Sequence, residues 1–122
     1  MTRQLRALRG ATTLDKDTRE QVMKRTATLI RTILERNGLD HEDLVSLIFT
    51  ATDDIRSEFP AAAARSIGIS DVPLLCAREI DVDGAVALCI RVLIHLYTDK
   101  EPSQLRHVYL EGARPLRNDL PQ

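Results

Sequence analysis

The stretch "CIRVLIHLY", residues 89–97, is almost continuously apolar, yet it carries one arginine, Arg91, in its interior. Its β-branched and aromatic content favours a strand from about Cys89 to Thr98, although a helical period beginning at Val86 also fits the apolar positions. Removing water from a guanidinium costs several kcal/mol unless an anion or a full set of acceptors meets it. The stretch therefore predicts an anion beside Arg91.

On a strand, successive side chains point to opposite sides, so the stretch divides into two faces. One face is wholly apolar and consists of Ile90, Val92, Ile94 and Leu96. The other consists of Cys89, Arg91, Leu93, His95 and Tyr97. Because a covering helix needs the apolar face, we expect Arg91 to point away from it, toward a ligand or another subunit.

The other elements follow from periodicity and turn signals. In chain order they are a strand over 3–13, a long amphipathic helix within 17–38, about one turn near Asp40, a buried strand over 44–52, a short helix over 59–68, a second buried strand over 72–80, and a last strand over 105–113 before a Pro-bounded tail. Asp17 and Glu20 resemble a capping box for the long helix, and Gly38 can end it.

These elements predict an α/β (α+β) fold, with a mixed sheet of about five strands covered by one long and one short helix. The 122 residues match one domain over 1–122 and divide at no linker or repeat. One long and one short helix can cover only one face of the sheet, and an uncovered face with apolar residues favours self-association. We therefore expect an oligomer.

Charge and cysteine content limit the classes of partner. Seventeen Lys and Arg nearly balance eighteen Asp and Glu, leaving a net charge of -1, so we expect no nucleic-acid or membrane binding. Cys76 and Cys89 lie in apolar stretches typical of reduced, buried thiols. The N-terminal residues lack the apolar block of a signal peptide, and no segment is long enough to span a bilayer, which predicts a cytoplasmic protein.

Residue patterns for cofactors and metals are absent from the sequence. The glycines are scattered and form no phosphate-binding loop, and His41, His95 and His107 have no metal-ligand spacing with the cysteines. We therefore expect no cofactor and no metal. A nucleophilic pair of Cys76 with His107 or His95 stays open, although nothing in the sequence favours it.

Arginines beside the predicted strands are the remaining chemical signal. They are Arg9, Arg65, Arg91, Arg106 and Arg117. Guanidinium binds carboxylates through two parallel hydrogen bonds, so the pattern indicates a small anionic ligand. On the residues alone, a structural ion pair with a carboxylate at an interface is the favoured interpretation of Arg91.

Several segments, in order and in spacing, resemble the monofunctional chorismate mutases of the AroH class. These are "LRGATT" at 8–13, "FPAAAAR" at 59–65, "VPLLCAREID" at 72–81, "CIRV" at 89–92, "TD" at 98–99, "RHVYL" at 106–110 and "LRNDL" at 116–120. The resemblance spans essentially the whole chain. It implies a homotrimeric pseudo-α/β-barrel with active sites between subunits, and an isomerase that converts chorismate to prephenate in the shikimate pathway of aromatic amino acid biosynthesis.

The resemblance also implies roles for individual residues. Arg91 would stabilise the ether oxygen of chorismate, Arg9 would bind a carboxylate, Glu79 would accept a hydrogen bond from the substrate hydroxyl and pair with Arg91, and Tyr109 would contact the other carboxylate. The neighbouring subunit's side of the cleft would be lined by Phe59, Ala61, Arg65, Leu74, Leu75 and Cys76. Leu116 and Arg117 would lie in a mobile C-terminal tail, about residues 112–122.

The sequence departs from the family pattern at three positions. Ala62 stands where some relatives carry lysine, Leu75 where some carry threonine, and Asn118 where proline is frequent. We expect these changes to concern substrate capture and tail ordering rather than the Arg91 and Glu79 pair. Two alternatives from other classes stay open: an enamine or imine deaminase of similar trimeric fold, and a non-catalytic sensor of a small dicarboxylate.

Overall fold

The computed structural model describes residues 2–117, for Arg117 the backbone alone, and contains a five-stranded sheet with two α-helices. The strands are β1 Gln4–Thr13, β2 Leu44–Ala51, β3 Leu74–Arg78, β4 Cys89–Thr98 and β5 Val108–Tyr109, and the helices are α1 Arg19–Asn37 and α2 Pro60–Ser66. Short 3-10 helices cover His41–Asp43, Pro102–Gln104 and Glu111–Arg117. The predicted single α/β domain with one long and one short helix is confirmed.

The stretch around Arg91 forms β4, the central strand of the sheet order β3-β2-β4-β1-β5. It pairs antiparallel with β1 from Gln4↔Thr98 to Thr13↔Cys89, and antiparallel with β2 on its other side. The outer strands β3 and β5 each run parallel to their neighbour, so the sheet is mixed. The prediction of a strand rather than a helix at 89–98 is confirmed.

The predicted apolar face of β4 is the core face. Ile90, Val92, Ile94 and Leu96 are each at most 2% exposed. Val92, Ile94 and Leu96 share one buried cluster with Leu29, Ile30 and Ile33 of α1. Full burial of such a side chain stabilises the fold by about 1.5 to 3 kcal/mol, so this face fixes which side of the sheet the helices cover.

Gly10 allows α1 to approach β1 closely. A methyl group at Gly10 would lie 2.7 Å from Cδ1 of Ile33 and 3.1 Å from the Val108 carbonyl oxygen. A side chain there would therefore push the helix and β5 away from β1. The residue belongs to the "LRGATT" segment, beside Arg9.

The N-terminus of α1 differs from the predicted capping box. Thr18 is the N-cap, and its hydroxyl accepts a hydrogen bond from the Gln21 backbone N–H. Asp17 instead accepts from the backbone N–H groups of Arg56 and Ser57 and from the Ser57 hydroxyl. The C-terminus ends as expected, with Gly38 in the left-handed conformation at φ 61°.

Two strand predictions need correction. The segment 72–80 is not a buried strand: β3 is an edge strand, and Leu75 is 60% exposed. The segment 105–113 forms only the two-residue β5, because the chain turns at Glu111, which has φ 52°, into the 3-10 helix Glu111–Arg117. None of the helices described within residues 2–117 is long and apolar enough to cross a membrane.

Candidate active site

The sheet face opposite the helices carries a small cavity of about 260 Å³ around Arg91. Its lining residues are Arg9, Gly10, Ile48, Thr50, Arg91, Val92, Leu93 and Tyr109. Strand pairing explains the grouping, since Arg91 lies opposite Ala11 on β1 and Thr50 on β2, and Tyr109 lies opposite Ala11 from β5. The structure therefore brings Arg9, Arg91 and Tyr109, three of the predicted polar site residues, to one cavity.

Glu79 lies directly after β3 and contacts Arg91. Its backbone N–H donates to the Ala51 carbonyl at 3.0 Å, which extends the pairing with β2 by one residue. Its Oε2 lies 3.5 Å from Nε of Arg91 and accepts a hydrogen bond from the Thr50 hydroxyl. The predicted pairing of Glu79 with Arg91 is thus present as an ion pair.

Glu79 itself lines a second, adjoining cavity of about 300 Å³ rather than the cavity around Arg91. Asp53, Asp54, Asp81 and Asp83 line that second cavity as well. The Glu79 carboxylate therefore sits between an acidic loop region and a cationic cleft. Attraction to Arg91 and repulsion from the acidic side both favour a carboxylate turned toward Arg91.

Arg91 is less buried in one chain than its apolar surroundings in the sequence predicted. Its side chain is 40% exposed, while its Nε atom is buried and has no hydrogen-bond partner among residues 2–117. The reason is the strand alternation: Arg91 stands on the face that neither α1 nor α2 covers. Desolvation of the guanidinium thus depends on what covers this face.

Arg9 presents an exposed guanidinium at the cavity. Within residues 2–117 its side chain makes no hydrogen bond or ion pair, whereas its backbone N–H donates to Nδ1 of His107 at 3.0 Å. His95 lies within hydrogen-bonding distance of the Ser46 hydroxyl, at 3.1 Å. These contacts give both histidines structural partners and leave the Arg9 side chain available for an anion.

Cys89 is a buried, free thiol next to this cavity. Burial raises the pKa of its thiol, and the neighbouring Arg91 only partly opposes that shift. A thiol with a raised pKa is a poor nucleophile at neutral pH. Cys89 packs with Ala11, Tyr109 and Ala113, under the C-terminal 3-10 helix.

The residues that the family resemblance assigns to the neighbouring subunit's side of the cleft do not line the cavity around Arg91. Phe59 and Cys76 line a third cavity of about 620 Å³, between α2 and the edge strand β3, which shares no lining residue with the cavity around Arg91. Ala61 is buried at 5% exposure, Leu74 packs on the core, and Arg65 is exposed on α2. Leu75 and Cys76 are adjacent on a strand, so they point to opposite faces of the sheet.

An acidic side chain accompanies Phe59 in the cavity beside α2. The Phe59 backbone N–H donates to Glu58, and this hydrogen bond holds the pKa of the Glu58 carboxyl below its usual value. Arg19 lies 2.9 Å from the same carboxylate. Glu58 is therefore ionised at neutral pH and is neutralised in part by Arg19.

Comparison with known proteins identifies the family. Residues 5–120 match the family model described as chorismate mutase type I. The chain belongs to this family. It is 43% identical to the chorismate mutase AroH of Bacillus subtilis (strain 168) over 117 residues, which are 95% of this chain and 92% of that protein. It is 47% identical to the chorismate mutase AroH of Thermus thermophilus, over 95% of this chain and 96% of that protein.

A solved chorismate mutase from Clostridium thermocellum has the same fold. The TM-score is 0.89 at 44% sequence identity, covering 90% of this chain and 98% of that one. The resemblance found in the sequence segments is confirmed over residues 5–120. Membership of the chorismate mutase family also argues against the deaminase alternative.

The C-terminal segment, in which the family resemblance places Leu116 and Arg117, is anchored at its start. The Gly112 backbone N–H donates to the Thr13 hydroxyl at 2.9 Å, and Glu111 lies 3.2 Å from the Arg25 guanidinium. Leu116 packs against the buried cluster around Cys89. Arg117 ends the 3-10 helix, and Asn118 and the rest of the predicted mobile tail lie outside the described residues.

Thr50 is a polar residue of the cavity that the sequence did not predict. It lines the cavity beside Arg91 and donates a hydrogen bond to Glu79. A polar residue inside the apolar run "LVSLIFTA" was a usable signal, of the same kind that singled out Arg91. Its partner, however, follows only from the pairing of β2 with β3 and β4, which periodicity does not specify.

Proposed function

We propose that this chorismate mutase family member converts chorismate to prephenate at a site built around Arg91, Arg9 and Tyr109. The observation that carries the proposal is the cavity that these three residues share, with Glu79 paired to Arg91 at its side. Chorismate has two carboxylates and an ether oxygen that gains negative charge during reaction. The cavity offers two guanidinium groups on one face of a sheet to meet them.

The reaction is an intramolecular rearrangement in which the C–O ether bond breaks as a C–C bond forms. Atoms and electrons balance within the substrate, so no nucleophile or proton transfer is needed. The protein can accelerate such a step by holding the compact reactive conformer and by placing positive charge at the ether oxygen. We assign the second task to Arg91. One preorganised donor of this kind contributes about 3 to 4 kcal/mol, or a few hundredfold in rate.

The other residues hold the substrate in place. Arg9, whose guanidinium is available at the cavity, binds one carboxylate, and Tyr109 contacts the other. Glu79 orients Arg91 through its Oε2 and accepts the hydrogen bond from the substrate hydroxyl. Tyr109 is 4% exposed and therefore holds a fixed position beside Ala11.

We further propose that the site is completed by a neighbouring copy in a homotrimer. Support comes from the separation of the cavity beside Phe59 and Cys76 from the cavity around Arg91, since one chain does not bring them together. Leu5 at 51%, Phe59 at 67%, Leu75 at 60% and Tyr97 at 48% exposure give the uncovered face and the β3 edge an apolar character suited to association. A covering neighbour would also remove water from Arg91.

On this arrangement, Phe59, Ala61, Arg65, Leu74, Leu75 and Cys76 form the second wall of the cleft, and Leu116 and Arg117 border it from the C-terminal segment. Ala61 and Leu74 would support the wall from behind, because both pack on the core. The cytoplasmic setting and the place in aromatic amino acid biosynthesis, both predicted above, accompany this proposal.

Chorismate turnover is the direct test. Purified protein incubated with chorismate and no added cofactor should form prephenate at a rate far above the uncatalysed one. Size-exclusion chromatography with light scattering should give about three times the 13.7 kDa chain mass. Binding of chorismate without prephenate formation would contradict the proposal and support the dicarboxylate sensor.

A further inference from the structure

We propose that Thr50 is a positioning residue, whose hydroxyl fixes the Glu79 carboxylate and through it the guanidinium of Arg91. This inference rests on the proposed function and deepens it. Thr50 sits in β2 beside both partners: it pairs with Arg91 of β4 on one side and with Ala77 of β3, two residues before Glu79, on the other. It also lines the cavity around Arg91.

Thr50 and Arg91 both approach the same oxygen of Glu79. The Thr50 hydroxyl donates to Oε2, and Nε of Arg91 lies 3.5 Å from that same atom. Among the side chains of residues 2–116, none donates a hydrogen bond to Oε1 of Glu79, so this oxygen is the one available to a substrate hydroxyl. Thr50 thereby determines which carboxylate oxygen faces the substrate and which holds Arg91.

Glu79 needs such a constraint because of where it lies. It follows the last residue of an edge strand, and its side chain is 24% exposed. With three rotatable bonds and an ion pair of 3.5 Å, the carboxylate can rotate between Arg91 and solvent. The hydroxyl of Thr50, on a β-branched side chain with a restricted χ1, stops that rotation.

Thr50 acts through Glu79 rather than on the reacting atoms. A threonine hydroxyl has one hydrogen to donate, and here Glu79 receives it. The Thr50 hydroxyl is therefore not a donor to the ether oxygen or to a carboxylate of the substrate. This separates its role from those of Arg91 and Arg9.

The test uses two substitutions that differ in the hydroxyl. Thr50→Val keeps the shape and removes the donor, and we expect kcat for chorismate to fall about tenfold with a smaller change in KM, as for the loss of one charged hydrogen bond. Thr50→Ser keeps the donor and should retain most of the activity. Thr12→Val is the matched control, because Thr12 is 0% exposed on the core face of β1, its hydroxyl has no partner among residues 2–117, and it lies away from the cavity.

Coupling to Glu79 distinguishes positioning from packing. In a Glu79→Ala background the Thr50 hydroxyl has no carboxylate to hold, so Thr50→Val should cause no further loss of kcat. Equal losses from Thr50→Val in both backgrounds, or equal losses from Thr50→Val and Thr50→Ser, would overturn the inference. So would wild-type kinetics in Thr50→Val.

The same measurements keep the two proposals apart. An active wild-type enzyme with an equally active Thr50→Val variant overturns the role of Thr50 alone and leaves the proposed function standing. A wild-type protein that forms no prephenate overturns both. Thermal unfolding of each variant, with midpoints close to that of Thr12→Val, ensures that a rate loss is not a folding loss.

Discussion

Arg91 lies on a strand that contributes both to the core and to the proposed site. Its neighbours Ile90 and Val92 close the core on one face, and its own side chain stands on the other face beside Glu79. An ammonium group at this position would carry the charge but not the planar pair of donors that guanidinium offers to an oxygen and to Glu79 together. Replacing the Arg91 guanidinium by a lysine ammonium should therefore change the reaction rate measurably.

At the residue scale we predict that Arg91→Ala lowers kcat/KM for chorismate by more than about a hundredfold, because the positive charge at the ether oxygen is lost. Arg91→Lys should recover only a small part of that loss. Steady-state kinetics at neutral pH measure both. Arg31→Ala, which removes an exposed arginine from α1, is the matched control and should leave kcat/KM unchanged.

Assembly must be followed in the same Arg91 samples. We expect the oligomer of Arg91→Ala to persist, because the substitution removes only one ion pair, the 3.5 Å contact with Glu79 of the same chain. If the oligomer dissociates and activity disappears only together with it, then Arg91 is a structural residue and the electrostatic account is wrong.

At the scale of elements, the contact of α1 with β1 depends on Gly10. We predict that Gly10→Ala destabilises the fold by about 1 to 3 kcal/mol, because the added methyl would overlap Cδ1 of Ile33. Chemical denaturation measures the change. Ile33→Val removes that Cδ1 atom, so the double variant should be more stable than the sum of the two single changes predicts. Strict additivity would contradict the packing argument.

The loop before α2 is tied to the start of α1 by Asp17. The hydrogen bond from the Ser57 hydroxyl is the largest cause that lowers the pKa of Asp17 below its usual 3.8; burial opposes it, and the backbone N–H groups of Arg56 and Ser57 lower the pKa further. A carboxyl group with a lowered folded pKa stabilises the folded state above its unfolded pKa, and the stabilisation disappears as the pH falls through the folded pKa.

We therefore predict that Asp17→Asn lowers stability by about 1 kcal/mol or less at neutral pH, since the group is near the surface. The difference from wild type should shrink as the pH falls below 3.8 and through the lowered pKa. Urea denaturation across this pH range measures it. Asp71→Asn, at an exposed position, serves as the control. A difference that stays constant with pH would exclude the carboxylate as its cause.

Two strands show where local sequence signals did not predict the tertiary structure. The run "VPLLCAREI" is apolar enough for a buried strand. In the structure, however, β3 lies at the edge of the sheet and pairs with β2 alone. Likewise "LRHVYLEGA" has strand character over nine residues, and only Val108 and Tyr109 pair with β1. Pairing partners are set by tertiary contacts, so propensity alone overestimated both strands.

At the scale of the whole molecule, the proposed site joins two surfaces that one chain holds apart. We predict that Arg91→Ala and Phe59→Asp, each inactive alone, complement each other when co-expressed. Phe59 is 67% exposed, so the new carboxylate is tolerated in folding while it repels a dicarboxylate substrate. Random mixing in a cyclic trimer places both intact halves together at about a quarter of the sites, and kcat per site should recover accordingly.

Purified hybrids provide the readout, with separately expressed and unmixed variants as the control. Failure of co-expressed variants to regain activity, while each still forms oligomers, would place both halves of the site in one chain. A monomer that is fully active would exclude the shared site altogether.

The sequence by itself determined the strand at 89–98, its two faces, the two helices and the order of elements, because apolar period and turn residues act over a few neighbouring positions. Segment matches also gave the family. Only the tertiary structure decided that Arg9, Arg91, Thr50 and Tyr109 meet at one cavity, and that Glu79 is held by Thr50. These contacts depend on the register between strands far apart in the chain, and register is selected by the packing of the whole sheet rather than by any local pattern.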